Sequence, residues 1–518
     1  MSLHTSLGYL PDKIMSSSIL IWGGVGLLSV ICLIQYMRSR AKRTAFPIID
    51  PRDEKDYRCI IMDGVAKYPD TPFYILGSKK TLMLPKSYID EIRSMPEDKM
   101  TLRKFVRQEF HVELTGIGDT SKPTVKVVNT DLTRHVATAL PQIQEEIIYS
   151  FNHAFGSCED WSSFPTYFTL GKIVAIVSGR ILVGLPLSRN EEWIDNNIAY
   201  AMSIVKLKAA FSKWPEWSWD VARYFIKEVR EHLKLCARAS KNMKPLLDMK
   251  IDASGMDVDT NENTAEQGKF VTWLRSRLDA GRKNNREIFT EQQLALSFAS
   301  IHVTTTLITQ AMYDLAAYPE YVPILLEEIR SIMREDHSGT IQKSSLPKLT
   351  KLDSFIKESQ RVSPFSLVSH IRDTASDIKL STGQIIPKDT RVSVPLWAIH
   401  HSSPSLHLPG YTKSLSEFDG LRFHNLRHIP GNENRYQFVT TSTDSLSFGH
   451  GMHSCPGRFF ANNIIKLTLI HLLMDWEIRF PEDLKREGGA WRRPKNEFRE
   501  FDYVLDINAH LEIRRRKT

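Results

Sequence analysis

The chain has 518 residues, of which 42% are hydrophobic and 25% charged, an ordinary balance for a folded globular protein. Its formal net charge is +8, but lysine and arginine cluster densely only at residues 38–43 and 514–517, so nucleic acid is a poor candidate partner. The five cysteines are far apart and have no CxxC spacing, which argues against a disulfide framework and favours a reducing compartment.

The N-terminal region carries an uncharged apolar run, Ile19–Met37. As a helix, this run would rise ~28 Å, close to the thickness of the hydrocarbon core of a membrane. Basic residues follow it at 38–43, and by the positive-inside rule they place the rest of the chain in the cytosol. Residues 1–45 are therefore predicted to be a single-pass membrane anchor with a basic linker, and residues 46–518 one large folded domain. A cleaved signal peptide is less favoured, because the basic flank follows the apolar run.

Most of the chain after about residue 85 has helical periodicity, and the strand patterns are short. These patterns lie at Ile378–Leu380, Gln384–Ile386 and Arg391–Val394, with turns between them. Residues 252–267 are rich in Asp, Asn, Thr and Glu and are predicted to be a solvated loop. The fold class is therefore mainly α with a small β portion. The clearest helical segments are Gln142–Phe155, Glu191–Phe211, Val221–Ala239, Glu291–Ala317 and Val322–Arg334.

The segment Glu291–Ala317 is predicted to be a long, mostly apolar helix. Thr290 and Gln293 form a predicted capping box at its start. Three threonines at positions 304–306 interrupt the apolar run. In a purely structural interpretation, their hydroxyls bond back to carbonyl groups one turn earlier and bend the helix.

Glu358 and Arg361 lie three residues apart in the stretch LDSFIKESQR and share one face of a predicted helix. Alone, such a pair is typical of a solvated helix surface. Its meaning depends on the motifs around it.

The tight stretch FGHGMHSCPGRFFA, residues 448–461, surrounds Cys455. Its three glycines allow positive φ angles and a close approach of the backbone to a flat ligand. Pro456 and Gly457 introduce a predicted helix from about Arg458 to Trp476, which puts Cys455 at a helix N-terminus. Backbone N–H groups there stabilise a thiolate, so Cys455 is a predicted metal ligand.

Two other interpretations of this stretch stay open. His450, His453 and Cys455 would be zinc ligands if a fourth came from His400 or His401. A zinc site leaves the glycines unexplained and lacks paired ligand knuckles. A membrane-anchored binding protein without a metal is the non-enzymatic alternative.

The stretch resembles, almost residue for residue, the haem-binding signature FxxGxxxCxG of cytochrome P450 enzymes, in the form FGxGxHxCPGRFFA typical of fungal members. By that resemblance, Cys455 is the axial thiolate ligand of haem b, and Phe448 packs near its sulfur. His453 faces a haem propionate, and Gly449 belongs to the same cofactor-binding loop. A thiolate ligand pushes electron density towards bound oxygen and favours O–O cleavage.

Further motifs lie in the order that this family has. Glu358 and Arg361 resemble its ExxR motif, and the stretch FDGLR ending at Arg422 resembles the element whose arginine completes a Glu–Arg–Arg network. Such a network would brace the cysteine loop behind the haem. Arg372 falls where members often have a propionate-binding arginine, with a solvated arginine as the alternative.

The helix with three threonines resembles the family's oxygen-activation helix, with residues 299–304 aligned to A-G-x-(acid)-T-T. His302 stands where an acid is usual, and Val303 where the proton-delivering threonine is usual, which leaves Thr304 as the nearest hydroxyl. His302 and Thr304 are therefore the candidate catalytic residues. If the valine abolishes proton delivery, the enzyme would rearrange or desaturate a substrate without inserting oxygen.

The resemblance covers roughly residues 46–510 and implies a mainly helical cytochrome P450 fold with monooxygenase activity. One atom of O2 would enter an apolar secondary-metabolite scaffold, with electrons from NADPH through a separate cytochrome P450 reductase docked on a basic face. The implied location is the endoplasmic reticulum membrane, with the catalytic domain in the cytosol. Similarity to fungal enzymes that oxidise diterpenes such as kaurene favours a terpenoid substrate, while polyketide and indole alkaloid scaffolds stay open.

Substrate choice is expected to depend on residues 95–130 and 200–220. The tryptophans at 214, 217 and 219 lie in the second of these segments. Packing in the core is their expected role, and a position at the substrate entrance or the membrane is the alternative.

Overall fold

The fold is that of a computed structural model, which describes residues 46–51, 54, 56–118, 122–136, 138–248, 268–336, 340–407, 413–485 and 491–517. The predicted membrane anchor, the basic linker and the predicted loop at 252–267 lie outside the described residues. The described chain is mainly helical with small sheets, which confirms the predicted fold class.

Long helices make up most of the described chain, and shorter helical segments connect them. The long helices are α1 Tyr57–Lys67, α2 Arg103–Phe110, α3 Leu140–Phe155, α4 Thr166–Leu182, α5 Glu191–Phe211, α6 Lys227–Asn242, α7 Lys269–Arg277, α8 Arg286–Ala317, α9 Tyr321–Asp336, α10 Thr350–Val362 and α11 Arg458–Asp475. The shorter segments include Ile89–Ile92, Val112–Thr115, Lys122–Lys126, the π-helix Val127–Leu132, Thr133–Val136, Trp219–Ala222, Lys244–Asp248, Leu396–Ser402 and Arg422–Arg427.

The predicted helix at Glu191–Phe211 forms with those bounds as α5. It begins where it does because the side chain of Asn190 accepts a hydrogen bond from the backbone N–H of Trp193 at 2.9 Å. The helix predicted at Val221–Ala239 is instead interrupted, since a short helix ends at Ala222 and α6 begins at Lys227. Val221, Tyr224 and Phe225 around the interruption are exposed, while Ala222 and Ile226 are buried, so only part of this stretch has the packing that would hold one continuous helix.

The long helix α8 begins before the predicted capping box. Asn285 is its N-cap, and the side chain accepts a hydrogen bond from the backbone N–H of Glu287 at 3.0 Å. Thr290 lies inside the helix and donates its hydroxyl to the carbonyl oxygen of Arg286 at 3.1 Å. The predicted capping box of Thr290 and Gln293 is therefore wrong, because Asn285 already satisfies the free N–H groups of the first turn.

The strands are β1 Ile48–Ile49, β2 Phe73–Ile75, β3 Thr81–Met83, β4 Met100–Thr101, β5 Ser162–Pro165, β6 Ser369–Thr374, β7 Ile378–Lys379, β8 Ile385–Ile386, β9 Arg391–Val394, β10 Trp476–Arg479, β11 Glu497–Arg499, β12 Asp502–Val504 and β13 His510–Arg515. The largest sheet has the order β1-β2-β3-β9-β6-β4, and β10-β13-β5 form a second sheet. The predicted hairpin β7–β8 forms around Gly383, whose φ of +87° suits glycine. β6 leads from α10 into the largest sheet and carries Arg372.

The middle of the main core is formed by α8. Its residues Ile308, Ala311 and Leu315 are at most 1% exposed and belong to the largest hydrophobic cluster. Among the described residues, α8 is the one helix with the length and mean hydropathy, 1.2, that a membrane span requires, but 72% of that apolar window is buried in the protein. Its apolar character is thus explained by burial among other helices.

Candidate active site at Cys455 and the open face of α8

The loop before α11 is closed by hydrogen bonds to its own backbone carbonyl groups. The N–H of Cys455 donates to the carbonyl oxygen of Phe448 at 2.8 Å, and Arg458 Nη1 donates to the carbonyl oxygen of Cys455 at 2.8 Å. The ring of Phe448 meets Phe438 edge-on, with 5.2 Å between centroids, and packs against the main core. The loop is thus anchored from inside, while Cys455 itself stays partly exposed.

The charge state of Cys455 depends on opposing influences. Burial raises the pKa of its thiol, whereas hydrogen bonds from the backbone N–H groups of Gly457 and Arg458, and the charge of Arg458, act to lower it. These N–H groups belong to the start of α11, as the sequence predicts. The sulfur therefore has donors aimed at it in a poorly hydrated place, where a cation would favour the thiolate.

Two glycines of the loop are required by its backbone. Gly449 and Gly451 have φ angles of +66° and +77°, a region that glycine adopts without strain. A Cβ atom on Gly451 would lie 2.5 Å from the carbonyl oxygen of Arg93. Gly457 has an ordinary φ of −87°. Close approach to a flat ligand is therefore not the reason for Gly451, whose neighbour is a protein carbonyl group.

Two basic side chains converge beside this loop. Burial lowers the pKa of Arg372 to about 10, although the carboxylate of Glu97 opposes the shift. Burial and the nearby charge of Arg372 lower the pKa of His453. Nε2 of His453 is buried 3.4 Å from Glu97 Oε1 and has no hydrogen-bond partner among the described residues. A partly buried guanidinium beside an unsatisfied imidazole favours an anion such as the carboxylate of a bound molecule.

The structure brings Glu358, Arg361 and Arg422 together in a buried network. Arg361 Nε and Nη2 donate to Glu358 Oε2 and Oε1 at 2.7 and 2.8 Å, and Arg422 Nε donates to Oε1 at 3.2 Å. The three residues are 0%, 2% and 1% exposed, respectively. Both arginines also donate to the backbone carbonyl oxygen of Glu417. The network therefore ties α10 to the segment that precedes Arg422.

The helix α8 is buried on most sides but has one open face. Phe298, Ala299, His302 and Val303 are partly or fully exposed, whereas Thr304 is 4% exposed. Their spacing puts the four residues on one face of the helix. Val303 brings only methyl groups to this face, and the hydroxyl of Thr304 lies on the buried side. His302 is the polar residue of the open face.

His302 is held by one short hydrogen bond and by aromatic contacts. Its Nδ1 lies 2.5 Å from the hydroxyl oxygen of Tyr167 in α4. The imidazole stacks on Phe298 with 5.9 Å between centroids and meets Phe365 edge-on at 5.8 Å. Burial lowers the pKa of His302, so the ring is neutral at pH 7. No sequence motif includes Tyr167 or Phe365, which is why sequence reasoning missed both.

Aromatic residues from two distant segments meet beside the open face. Phe110 contacts Phe298 edge-on at 6.0 Å, and the adjacent His111 stacks on Phe211 at 4.1 Å. Phe110 and Phe211 belong to the two segments that the sequence singles out for substrate choice. Phe110 of the first segment therefore contacts the face of α8, and its neighbour His111 contacts Phe211 of the second segment. These aromatic side chains are called the aromatic rim.

An exposed lysine links three elements next to this rim. Lys208 Nζ in α5 lies 2.6 Å from Glu109 Oε2 in α2 and 3.5 Å from Asp502 Oδ2 in β12. Glu109 is adjacent in sequence to Phe110 of the rim. These ion pairs connect α2, α5 and the hairpin β11–β12.

The tryptophans near residue 217 do not share one environment. Trp214 and Trp217 are 42% and 87% exposed, so the expectation of core packing is wrong for both. Trp219 is partly buried against the cluster that contains Phe211. Tyr224 and Phe225 are also exposed, and with Trp214 and Trp217 they form the exposed aromatic patch.

The zinc alternative finds no donor set in the structure. Across the residues that the structure describes, no three His, Cys, Asp or Glu side chains are grouped as metal ligands. The backbone carbonyl of His400 accepts a hydrogen bond from Arg361, and His401 stacks on Trp397. Cys455 is therefore not joined by the histidines that a zinc site requires.

Comparison with known proteins relates these residues to one family. The family model described as "Cytochrome P450" matches residues 92–489, a range that includes α8, α10 and the Cys455 loop. The chain is 37% identical over 509 residues to "Cytochrome P450 monooxygenase ascG" of Acremonium egyptiacum, with 95% of each chain covered. It is 35% identical to "Cytochrome P450 monooxygenase BOA7" of Botryotinia fuckeliana, over 88% of this chain and 86% of that one. "Cytochrome P450 monooxygenase BOA4" of the same fungus is 34% identical, with 97% of both chains covered.

Proposed function

The chain belongs to the cytochrome P450 family of oxygen-incorporating monooxygenases, and from this premise we propose that it inserts one oxygen atom from O2 into an apolar secondary-metabolite scaffold. The observation that carries the proposal is the cysteine loop, whose backbone N–H groups donate to the sulfur of Cys455. The mostly apolar open face of α8 supports it. A terpenoid is the favoured class of scaffold.

The family implies a haem with a cysteine ligand, and the residues present fit such a group. Cys455 offers sulfur with two backbone N–H donors directed at it. Arg372 and His453 together offer positive charge and an unsatisfied buried nitrogen to an anion. We propose haem b, whose two propionates supply carboxylates of the kind that this pair favours.

In the proposed assignment, each residue of the loop has a separate task. Cys455 is the metal ligand, and Phe448 covers its sulfur while Gly449 permits the turn that presents it. Arg372 and His453 bind the propionates. The haem, when bound, supplies the redox chemistry by which O2 is split, and the thiolate ligand favours that cleavage. The hydrogen bonds from Gly457 and Arg458 set how strongly the sulfur donates electrons.

Glu358, Arg361 and Arg422 are proposed to act structurally. Their mutual hydrogen bonds occupy the buried carboxylate and most of the buried guanidinium groups, so the network is well satisfied. It fixes the segment before Arg422 against α10. We propose that this attachment braces the cysteine loop. None of the three is proposed to touch the substrate.

On the distal side, we propose His302 and Thr304 as the residues that manage protons. His302 is the polar side chain of the open face, whereas Thr304 is buried behind it. Thr304 would therefore act through His302 or through a local rotation of α8 rather than from its present position. An apolar face with a single polar group suits a hydrocarbon-rich substrate.

The redox partner and the membrane complete the proposal. The family requires an electron donor, and a membrane-bound NADPH–cytochrome P450 reductase is the proposed one. The exposed Met452 and Phe459, next to Arg458, offer a mixed apolar and basic surface beside the cysteine loop. The exposed aromatic patch supports a second contact with the endoplasmic reticulum membrane, in addition to the predicted anchor at residues 19–37.

The haem assignment is tested by the absorption of the reduced protein with carbon monoxide. Wild-type protein is expected to show the strongly red-shifted Soret band of a thiolate-ligated haem, and Cys455→Ser to lose it. Cys59→Ser, at an exposed cysteine, is the matched control and should retain the band. A colourless wild-type protein, or a Cys455→Ser variant with an unchanged band, would overturn the assignment.

The substrate class is tested by co-expressing the chain with a reductase in a host that makes candidate scaffolds. A terpenoid product heavier by one oxygen atom is expected. The same mass gain on a polyketide or an indole alkaloid would move the proposal to that class. A product of unchanged mass, or one lighter by two hydrogens, would mean rearrangement or desaturation and contradict oxygen insertion.

A further inference from the structure

A hydrogen bond between α4 and α8 fixes the polar group of the open face. Tyr167 lies in the first turn of α4, 135 residues before His302, and its hydroxyl oxygen is 2.5 Å from His302 Nδ1. Tyr167 is 7% exposed. Burial raises the pKa of Tyr167 to about 12, so the phenol keeps its proton at pH 7. Both side chains are therefore neutral at pH 7, and a single hydrogen atom lies between the Tyr167 oxygen and His302 Nδ1.

The direction of this hydrogen bond follows from the acidity of the two groups. A phenol O–H is a far stronger acid than the N–H of a neutral imidazole, and imidazole nitrogen is a better acceptor than a phenol oxygen. The strong arrangement is therefore Tyr167 O–H donating to His302 Nδ1. Thr306, one turn further along α8, donates its own hydroxyl hydrogen to the carbonyl oxygen of His302 at 3.0 Å. Thr306 also lies close enough to the Tyr167 hydroxyl to act towards a lower pKa there, but its own hydrogen goes to that carbonyl group, so Tyr167 keeps its hydrogen for Nδ1.

This arrangement decides which nitrogen of His302 carries a proton. If Nδ1 accepts from Tyr167, a neutral imidazole must hold its hydrogen on Nε2. No hydrogen-bond partner for Nε2 is found in the part of the chain that the structure describes. The ring itself is oriented by Phe298 and Phe365, the latter 48% exposed. The N–H of Nε2 is thus left to a ligand at the open face.

We propose that Tyr167 is a positioning residue that locks His302 as a hydrogen-bond donor for the oxygen-binding side of the haem. The proposal rests on the proposed function, because it requires a haem facing α8. Val303 has no hydroxyl and cannot donate a hydrogen bond from this face. In the proposal, the imidazole of His302 supplies that donor instead, held in place by Tyr167 of α4. His302 does not need to change its charge to act in this way.

The first test compares Tyr167→Phe with wild-type enzyme saturated with carbon monoxide after reduction. The infrared stretching frequency of bound carbon monoxide responds to a nearby hydrogen-bond donor, and it is a readout independent of turnover. Both Tyr167→Phe and His302→Leu are expected to shift this frequency in the same direction. In turnover, Tyr167→Phe should lower the product formed per NADPH by about two- to tenfold, the effect of losing one hydrogen bond, with peroxide released instead.

A double-mutant cycle separates positioning from general packing. If Tyr167 acts through His302, Tyr167→Phe should cause no further loss in the His302→Leu background. The quantity compared is the product formed per NADPH consumed, called the coupling. Tyr313→Phe is the matched control: it removes another buried hydroxyl, which donates to the carbonyl oxygen of Asp506 at 3.2 Å from the same helix α8. This control should leave both the carbon monoxide frequency and the coupling unchanged.

The outcomes distinguish this inference from the proposed function. Wild-type protein without a haem-thiolate band would overturn the proposed function, and with it the haem facing α8 that this inference requires. A normal band in wild-type and Tyr167→Phe, with identical infrared frequency and coupling, would overturn the inference alone. Fully additive losses in the double variant would also overturn it, because Tyr167 would then act independently of His302.

Discussion

At the scale of single residues, the cysteine loop depends on backbone conformations that few side chains allow. Gly451 combines a φ of +77° with a protein carbonyl oxygen 2.5 Å from the place of a Cβ. Gly431 has a similar φ of +87°, but no atom lies within 4 Å of that place. The pair separates the cost of a left-handed backbone from the cost of a steric collision.

We expect Gly451→Ala to destabilise the protein more than Gly431→Ala. Both variants incur the left-handed penalty of about 1–2 kcal/mol. Gly451→Ala must also displace the carbonyl group of Arg93, which adds about 1–3 kcal/mol of overpacking. Denaturant unfolding of the two variants measures the difference, and retention of the haem reports whether the loop has moved. Equal losses would mean that the contact with Arg93 relaxes without cost.

Residue chemistry that is local in sequence was predictable, and chemistry that depends on distant contacts was not. The stretch around Cys455 predicted a turn into a helix N-terminus, because proline, glycine and the apolar repeat lie side by side. His302 was identified through its place in α8. Its partner Tyr167 was not identified, since only the packing of α4 on α8 brings them within 2.5 Å.

At the scale of elements, the helix α10 is held by a carboxylate that serves two arginines. Glu358 binds Arg361 of its own helix and Arg422 of another segment, without exposure to solvent. The sequence predicted that Glu358 and Arg361 share a helix face, but burial of that face was not readable from their spacing. A buried charge that loses its partner is far more costly than an exposed one.

Glu358→Gln is expected to lower the free energy of unfolding by about 3–5 kcal/mol, because two buried guanidinium groups lose their counter-charge. Glu327→Gln is the matched control. Glu327 pairs with Arg334 at 3.0 Å, but both side chains are more than 60% exposed. That variant should change the free energy by less than about 1 kcal/mol. Similar effects of the two substitutions would contradict a special role for burial.

At the scale of the whole molecule, buried histidines set the response to acid. Burial is the largest cause that lowers the pKa of His232, His370 and His401 to about 4. In the unfolded chain, a histidine titrates near its ordinary pKa of about 6.5. Between these values the unfolded state binds more protons than the folded state, so stability falls as the pH falls from about 6.5 to about 4.

His232 offers the clearest test, because it is 0% exposed and lies in α6, on an element distinct from the cysteine loop. We expect His232→Gln to unfold with a shallower acid dependence, weaker by about 3 kcal/mol between pH 6.5 and 4. His407→Gln, at an exposed histidine, is the control and should follow the wild-type curve. Unfolding free energies at several pH values provide the comparison. An unchanged slope in His232→Gln would mean that the folded protein accommodates the charged imidazole.

The fold class was predictable from periodicity over the whole chain, while the packing of α2 against α5 was not. Helices such as α5 have apolar spacing that specifies both their existence and their bounds. The meeting of residues 95–130 with residues 200–220 depends on how α2 and α5 pack, which no local pattern encodes. The stacking of His111 on Phe211 is one such contact.

The three-way contact of Lys208 with Glu109 and Asp502 bears on how molecules come and go. A small molecule that passes between α2, α5 and the β11–β12 hairpin has to separate these ion pairs first. Attraction between exposed ions weakens as the ionic strength rises. The residence time of a molecule behind this contact would therefore shorten at higher salt concentration. The strength of this three-way contact is thus set by the ionic strength around the protein rather than by the chemistry at the cysteine loop.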